Sequence, residues 1–182
     1  MPGVSLRFME MLTDRQIDSL QARRIDVGIG RPLVDEPGLA TQVIGRRSFV
    51  AALPVQHRLA RQQEVKLADL RGEPLILPQR RLGPGFHSQF VHLMKKTRVS
   101  LEIVHETTHM PTVVGLVAAG LGVGIVSDEL RDTEVRDVVY RPLAEGRGAV
   151  QLAMSWRLED ESLALKQFIA LGLADPISGD TP

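Results

Sequence analysis

Residues 105–109 read His-Glu-Thr-Thr-His, a letter-for-letter match to the H-E-x-x-H pattern of zinc proteases. That chemistry needs both histidines on one helix face, four apart, with the glutamate as base. The neighbouring residues argue for a different backbone. Residues 101–104, LEIV, alternate like a strand, and two β-branched threonines disfavour a helix. Pro111 biases Met110 away from helical backbone. The motif is therefore expected to straddle a strand end and a helix entry, and no metal or other cofactor is expected.

Other chemistries are weaker still. No G-x-S-x-G nucleophile elbow is present, so Ser88 and Ser127 lack the setting of a hydrolase serine. The glycines of residues 120–124 and of Gly28-Ile29-Gly30 precede no Gly-Lys-Ser or Gly-Lys-Thr and open no G-x-G-x-x-G helix, which argues against nucleotide binding. His57, His87 and His92 have no partner spacing and read as surface or internally satisfied histidines.

Three places suit an anion better. Arg31 follows an apolar strand, at the end where α/β sheets place ligands, and its guanidinium could fork onto a carboxylate. It could equally be a surface arginine beside a loop. Thr13 stands at a strand-to-helix junction, where its hydroxyl either caps the helix or, with the helix N-terminus, faces an anionic ligand. Pro84, Gly85 and Phe86 form either a third wall of such a site or an ordinary surface turn.

These residues need elements to hold them. The clearest signal is residues 110–130, an apolar helix, a glycine turn at Gly120 and a continuous apolar strand. The helix shows almost no polar face and is expected to be largely buried. Gly122 and Gly124 admit a close backbone or ligand. Upstream, residues 4–9 alternate and read as a strand, residues 14–24 as a helix with Ile17 and Leu20 inward, and residues 25–29 as a second strand. Residues 32–38 are a proline-rich loop. Residues 39–53 read as one long extended stretch, 54–61 as a turn, 66–70 as a helical turn and 74–77 as a short strand. Gly-Pro-Gly makes 78–86 an irregular loop, followed by a helix over 86–96. Residues 101–104, 135–143 and 150–156 read as extended. Residues 162–173 form an amphipathic helix with Leu163, Leu165, Phe168, Ile169 and Leu171 on or near one side, before a Pro/Gly/Asp-rich tail that is expected to fray. Strands alternating with helices imply a mostly parallel sheet with crossover helices.

The totals fit this reading. The 182 residues suffice for one large domain or two small lobes. Lysine plus arginine and aspartate plus glutamate both number 22, so bulk charge does not drive nucleic-acid binding. There is no cysteine, which excludes disulfides, thiolate catalysis and cysteine zinc sites. No stretch approaches the roughly 20 apolar residues of a membrane span, and the first residues, MPGVSLRF, do not resemble a secretory signal.

Taken together, TVVGLVAAGLGVGIVSDEL, RIDVGIGRP, SFVAALPVQHRLA and LADLRGEPLIL resemble the effector-binding domain of LysR-type transcriptional regulators, from about Val4 to about Leu173. GIGRP and PGFHSQF look most like the regulators of aromatic-compound catabolism. The resemblance implies an α/β, two-lobed fold of the type II periplasmic-binding-protein kind, each lobe a mostly parallel sheet flanked by helices. Residues 1–47 and 150–182 would form a discontinuous lobe I, and 48–149 lobe II. It implies a small aromatic or dicarboxylic acid effector in the cleft between lobes, contacted by Thr13, Arg31, Pro84, Gly85 and Phe86, and no catalysis. It implies a cytoplasmic protein, self-association as homodimer or tetramer, and DNA binding only through a separate N-terminal domain. The winged helix-turn-helix and the family's first strand and helix have no counterpart here, as in a truncated chain. Two alternatives remain open at this point: a transporter's solute-binding protein of the same fold, and a zinc hydrolase resting on the HETTH match.

Overall fold

Alternating apolar strands and short helices build two separate units. In chain order the elements are α1 (Thr13–Gln21), β1 (Val27–Gly30), β2 (Leu39–Arg47), β3 (Phe49–Pro54), β4 (Leu75–Pro78), α2 (Pro84–Thr97), β5 (Ile103–Thr107), α3 (Met110–Ala118), β6 (Val123–Ser127), β7 (Val138–Pro142), β8 (Val150–Arg157), α4 (Leu163–Ala174) and β9 (Ile177–Ser178). This is a computed structural model, and it describes residues 4–32, 36–79, 84–174 and 177–178. Parts of the loops expected at 32–38 and 78–86, and nearly all of the C-terminal tail, lie outside those residues.

One unit comprises residues up to Gly45 together with Leu152–Ile177; the other is built on Arg46–Gln151. Sequence reading puts the breaks at 47/48 and 149/150. The chain leaves the first unit within β2 and returns to it within β8.

The first unit carries a four-stranded sheet in the order β1-β8-β2-β9, with β1 and β8 antiparallel. Among the described residues its buried apolar side chains are Leu20, Ile44, Ala153, Met154 and Leu165, a thin core. Helix α4 lies close to β8: a Cβ at Gly172 would come within 2.5 Å of the Met154 methyl. Leu163 and Leu171, expected on the inward side of α4, are 71% and 59% exposed; the buried position is Leu165. Residues 4–9 do not join a strand. Leu6, Phe8 and Met9 stay exposed, because a strand exists only by pairing and no partner lies beside them among the described residues. With Ile29, Leu165 and Phe168 they line an open groove of about 440 Å³.

The second unit has a five-stranded sheet in the order β5-β4-β6-β3-β7. Strands β5, β4 and β6 are parallel, while β3 runs antiparallel to both β6 and β7, so the sheet is mixed. Every residue of β6 is buried, as an apolar run covered on both faces should be. Two cores flank the sheet. Phe49, Ala51, Leu75, Leu77, Val123 and Ile125 face Phe86, Phe90 and Leu93 of α2. Val50, Ala52, Ile76 and Val126 face Val113, Val114 and Val117 of α3. Helix α3 is buried along that stripe only; Thr112, Gly115 and Ala118 are exposed, against the expectation of a largely buried helix. The reason is that a helix laid on a sheet has one neighbour, and its small residues face outward at no great cost.

The stretch expected to run unbroken from 39 to 53 divides at Ser48. Its N–H donates to Asp128 Oδ2 (2.9 Å) and its hydroxyl accepts from the Gly148 N–H (3.1 Å), so it leaves both ladders. Two glycines serve close approach rather than a ligand. A Cβ at Gly122 (φ 152°) would sit 2.3 Å from the Pro74 carbonyl oxygen, and one at Gly124 would sit 2.6 Å from Val113 Cγ1.

Candidate functional site

In the first unit, α1 begins at Thr13. The position before it, Leu12, is extended and offers no side-chain cap, so Thr13 is the first helical residue rather than the cap. The first turn thus receives no side-chain cap from the residue before it. Strand β1 ends beside them. A Cβ on Gly30 would stand 3.5 Å from Thr13 Oγ1 and 3.4 Å from Gln16 Nε2. Arg31 follows directly, half-buried like Thr13. The structure therefore brings Thr13 next to the strand end that carries Arg31. A positive helix end and a hydroxyl beside the strand end that leads to Arg31 suit a carboxylate.

Gln16 is the residue that sequence reading missed. Its Nε2 donates to the Ile29 carbonyl (3.1 Å) and the Met11 carbonyl (3.3 Å), tying the entry of α1 to the exit of β1. Its signal was available: an amide one turn after Thr13, opposite a strand written Gly-Ile-Gly, where missing side chains leave room for it.

In the second unit, parallel β4, β5 and β6 end at Pro78, Thr107 and Ser127, and this carboxyl edge is where open α/β sheets bind ligands. Helices α2 and α3 start from the same edge. Pro84 and Gly85 belong to the first turn of α2, not to an irregular loop; Pro suits that position because its missing N–H costs nothing there. The Phe86 ring is 2% exposed and packs edge-on against Phe49 (centroids 5.0 Å apart). Its ring serves the core. Residues 80–83, which lead into the turn, lie outside the described residues.

The H-E-x-x-H residues fall where the local sequence puts them. His105 and Glu106 alternate on β5, and His109 is the extended residue before α3. The Thr107 hydroxyl donates to the His109 carbonyl (3.0 Å), closing the turn between them. The two histidines do not share a helix face. Among the described residues no group of three His, Cys, Asp or Glu side chains could hold a metal ion.

The shifted acids lie apart from both edges and fasten structure. Burial pushes Glu73 up, but hydrogen bonds and charge from His57 and Arg58 outweigh it and hold its carboxyl below the ordinary glutamate range. Asp160 is held low by its hydrogen bond from Arg157. Arg157 is itself buried and donates to the Leu20 and Ile25 carbonyls, Asp26 and Asp160, which pins the turn after α1 to the end of β8.

Comparison with known proteins gives a consistent answer. The family described as "LysR substrate binding domain" matches residues 1–174. The transcriptional regulator AlsR of Bacillus subtilis is 28% identical over 168 residues, which is 92% of this chain and 56% of AlsR. CatR of Pseudomonas putida is 29% identical over 168 residues, 92% of this chain and 57% of CatR. The chain thus spans a little over half the length of the curated relatives it matches. Among solved structures, the LysR family regulator CbnR superposes with a TM-score of 0.83 at 23% identity, covering 93% of this chain and 59% of CbnR. The effector-binding domain of a BenM variant does so at 0.83 and 24%, covering 95% and 82%. The BenM effector-binding domain with its effector benzoate scores 0.74 at 24%, covering 93% and 81%. At these identities the structures speak for the fold, which is that of LysR effector-binding domains.

Proposed function

We infer that this chain, which belongs to the LysR substrate binding domain family, senses a small aromatic or dicarboxylic acid through two half-sites. The family is not an enzyme family, and the curated relatives AlsR and CatR are transcriptional regulators, so neither the zinc hydrolase nor the transporter reading is favoured. The first half-site is Thr13 with Arg31; the second is the first turn of α2 at Pro84, Gly85 and Phe86, acting through backbone. The discontinuous lobe I (1–47 and 150–182) and lobe II (48–149) are the bodies that carry them.

The observation that supports this reading best is the uncapped start of α1 lying beside the strand end that leads to Arg31. An acid there gains helix-terminus N–H groups, a hydroxyl and a guanidinium fork together. An effector acts on such a protein only through its difference in affinity between pre-existing states. In the whole protein the output would be DNA binding through a further domain, with self-association as a homodimer or tetramer, in the cytoplasm. No described helix is long and apolar enough to cross a membrane.

Calorimetric titration with benzoate, catechol-derived acids and cis,cis-muconate tests the assignment. Thr13→Ala and Arg31→Ala should each weaken whichever acid binds, by about tenfold or more for the guanidinium. Unchanged affinity in both variants, or turnover of any substrate by the purified chain, overturns the reading.

A further inference from the structure

The sheet of the first unit leaves two strand edges open among the described residues. Strand β1 stands at the end of the order β1-β8-β2-β9 and pairs on one side only, with β8. Residues 4–9 offer the other edge: they alternate, stay exposed, and form no backbone hydrogen bond to a described residue. They lead through α1 into β1, the layout of a β-α-β unit whose two strands belong in one sheet. Here the two runs do not pair. The open groove separates them, lined by residues 4–9, by residues 25–29, and by Leu165 and Phe168 of α4.

An occupant of this groove must be extended, must carry an apolar face, and must bond along both of its own edges. The chain has one unpaired segment of that kind, residues 4–9 themselves: Val4, Leu6 and Phe8 fall on one face when extended, and all three are exposed. A two-fold axis normal to the sheet would place the partner's residues 4–9 in this groove and this copy's residues 4–9 in the partner's. The strand count then closes. One sheet runs β8, β1, the partner's 4–9, this copy's 4–9, then the partner's β1 and β8, and no free edge is left on that side.

The sequence of the segment also sets the register. About such an axis directly opposed residues share a face, so the axis passes through a residue. At Leu6 it opposes Leu6 to its own copy, Val4 to the partner's Phe8 and Ser5 to the partner's Arg7, apolar against apolar and polar against polar. At Arg7 it would oppose two guanidinium groups, which is unfavourable. We propose that the 182-residue chain forms a two-fold dimer by exchanging residues 4–9 with a second copy, paired at Leu6, each segment filling the other copy's groove. This gives self-association a defined surface, and it needs neither the effector nor the half-sites of the preceding reading.

Cross-linking tests it cleanly, because the chain has no cysteine of its own. Opposed residues of an antiparallel pair lie within disulfide reach. Under a mild oxidant Leu6→Cys should become a covalent dimer, while Arg136→Cys, on a 95% exposed side chain of the second unit, should cross-link far more slowly. Sedimentation of the wild-type chain should show a dimer at about 100 µM that dissociates on dilution. Arg7→Pro removes a ladder donor and should weaken that dimer by about tenfold or more. Its monomer should melt as the wild-type monomer does, since residues 4–9 are unpaired there. A wild-type chain that stays monomeric at that concentration overturns the proposal, including one whose residues 25–30 resist hydrogen exchange because another segment fills the groove. A dimer indifferent to Arg7→Pro, or Leu6→Cys cross-linking no faster than Arg136→Cys, overturns it as well and places self-association on another surface.

Discussion

Glu73 shows how a single side chain fastens a loop-rich region. It takes the Arg58 guanidinium at 2.8 Å and the His57 Nε2 at 3.2 Å, joining the turn after β3 to the turn before β4. Because its folded-state carboxyl titrates below the unfolded one, its contribution is complete above the unfolded value. It is lost as pH falls through the folded one. Asp160, held low by Arg157, behaves in the same way. Urea unfolding between about pH 6 and pH 3 should show stability falling with acid, and Glu73→Gln should flatten that limb. An acid limb of unchanged steepness in Glu73→Gln would contradict the assignment. At this scale the sequence was partly legible. Thr13 and Arg31 could be named from their positions at element ends. Gln16 was missed although its place one turn after Thr13 was readable, and Ser127 could not be named, because a hydroxyl left without a partner depends on contacts distant in sequence.

At the scale of elements, what was readable was periodicity, and what was hidden was context. Strand β6 and helix α3 announce themselves by composition, and the turn at Gly120 (φ 76°) by residue type. The start of α2 was obscured because Pro84 and Gly85 are loop residues by habit, yet proline also serves a first helical turn. Residues 4–9 have strand alternation without a strand, since pairing decides. The 39–53 stretch kept its alternation across Ser48, so only the side-chain bonds of Ser48 reveal the break. Gly122, just before β6, and Gly124 within it give the sharpest prediction here. Gly122→Ala would force a Cβ to within 2.3 Å of the Pro74 carbonyl oxygen at a φ that L-residues avoid. It should cost more than about 2 kcal/mol. Gly124→Ala meets side chains of α3 and Ala52 of β3 rather than backbone, and should cost less. Denaturant melts of the two variants check the order; equal costs would mean that the β4–β6 junction relaxes freely.

For the molecule as a whole, the two units differ in how much they hide. The second has apolar layers on both faces of its sheet, while the first has a thin core and an open groove bordered by Phe8 (84% exposed) and Met9 (54%). Contiguous apolar surface of this kind attracts hydrophobic probes and other chains. The 182-residue chain should therefore bind an environment-sensitive dye such as ANS while folded, and Phe8→Ser with Met9→Ser should reduce that fluorescence with little change in melting temperature. Dye binding unaffected by the double change would place the sticky surface elsewhere. Two-unit organisation itself could be anticipated from the family resemblance, and no periodicity in the sequence alone shows it.

The double passage between units also sets a timetable for synthesis. Arg46–Gln151 is an unbroken piece of chain and can fold as soon as it emerges. The strand and helix before it must wait, because β1 pairs with β8, whose residues are translated more than a hundred positions later. Domains generally fold as units during translation. The N-terminal fragment is thus an early arrival kept idle on the ribosome, and a slow or stalled message beyond residue 151 would leave a finished second unit tethered to an unfinished first one.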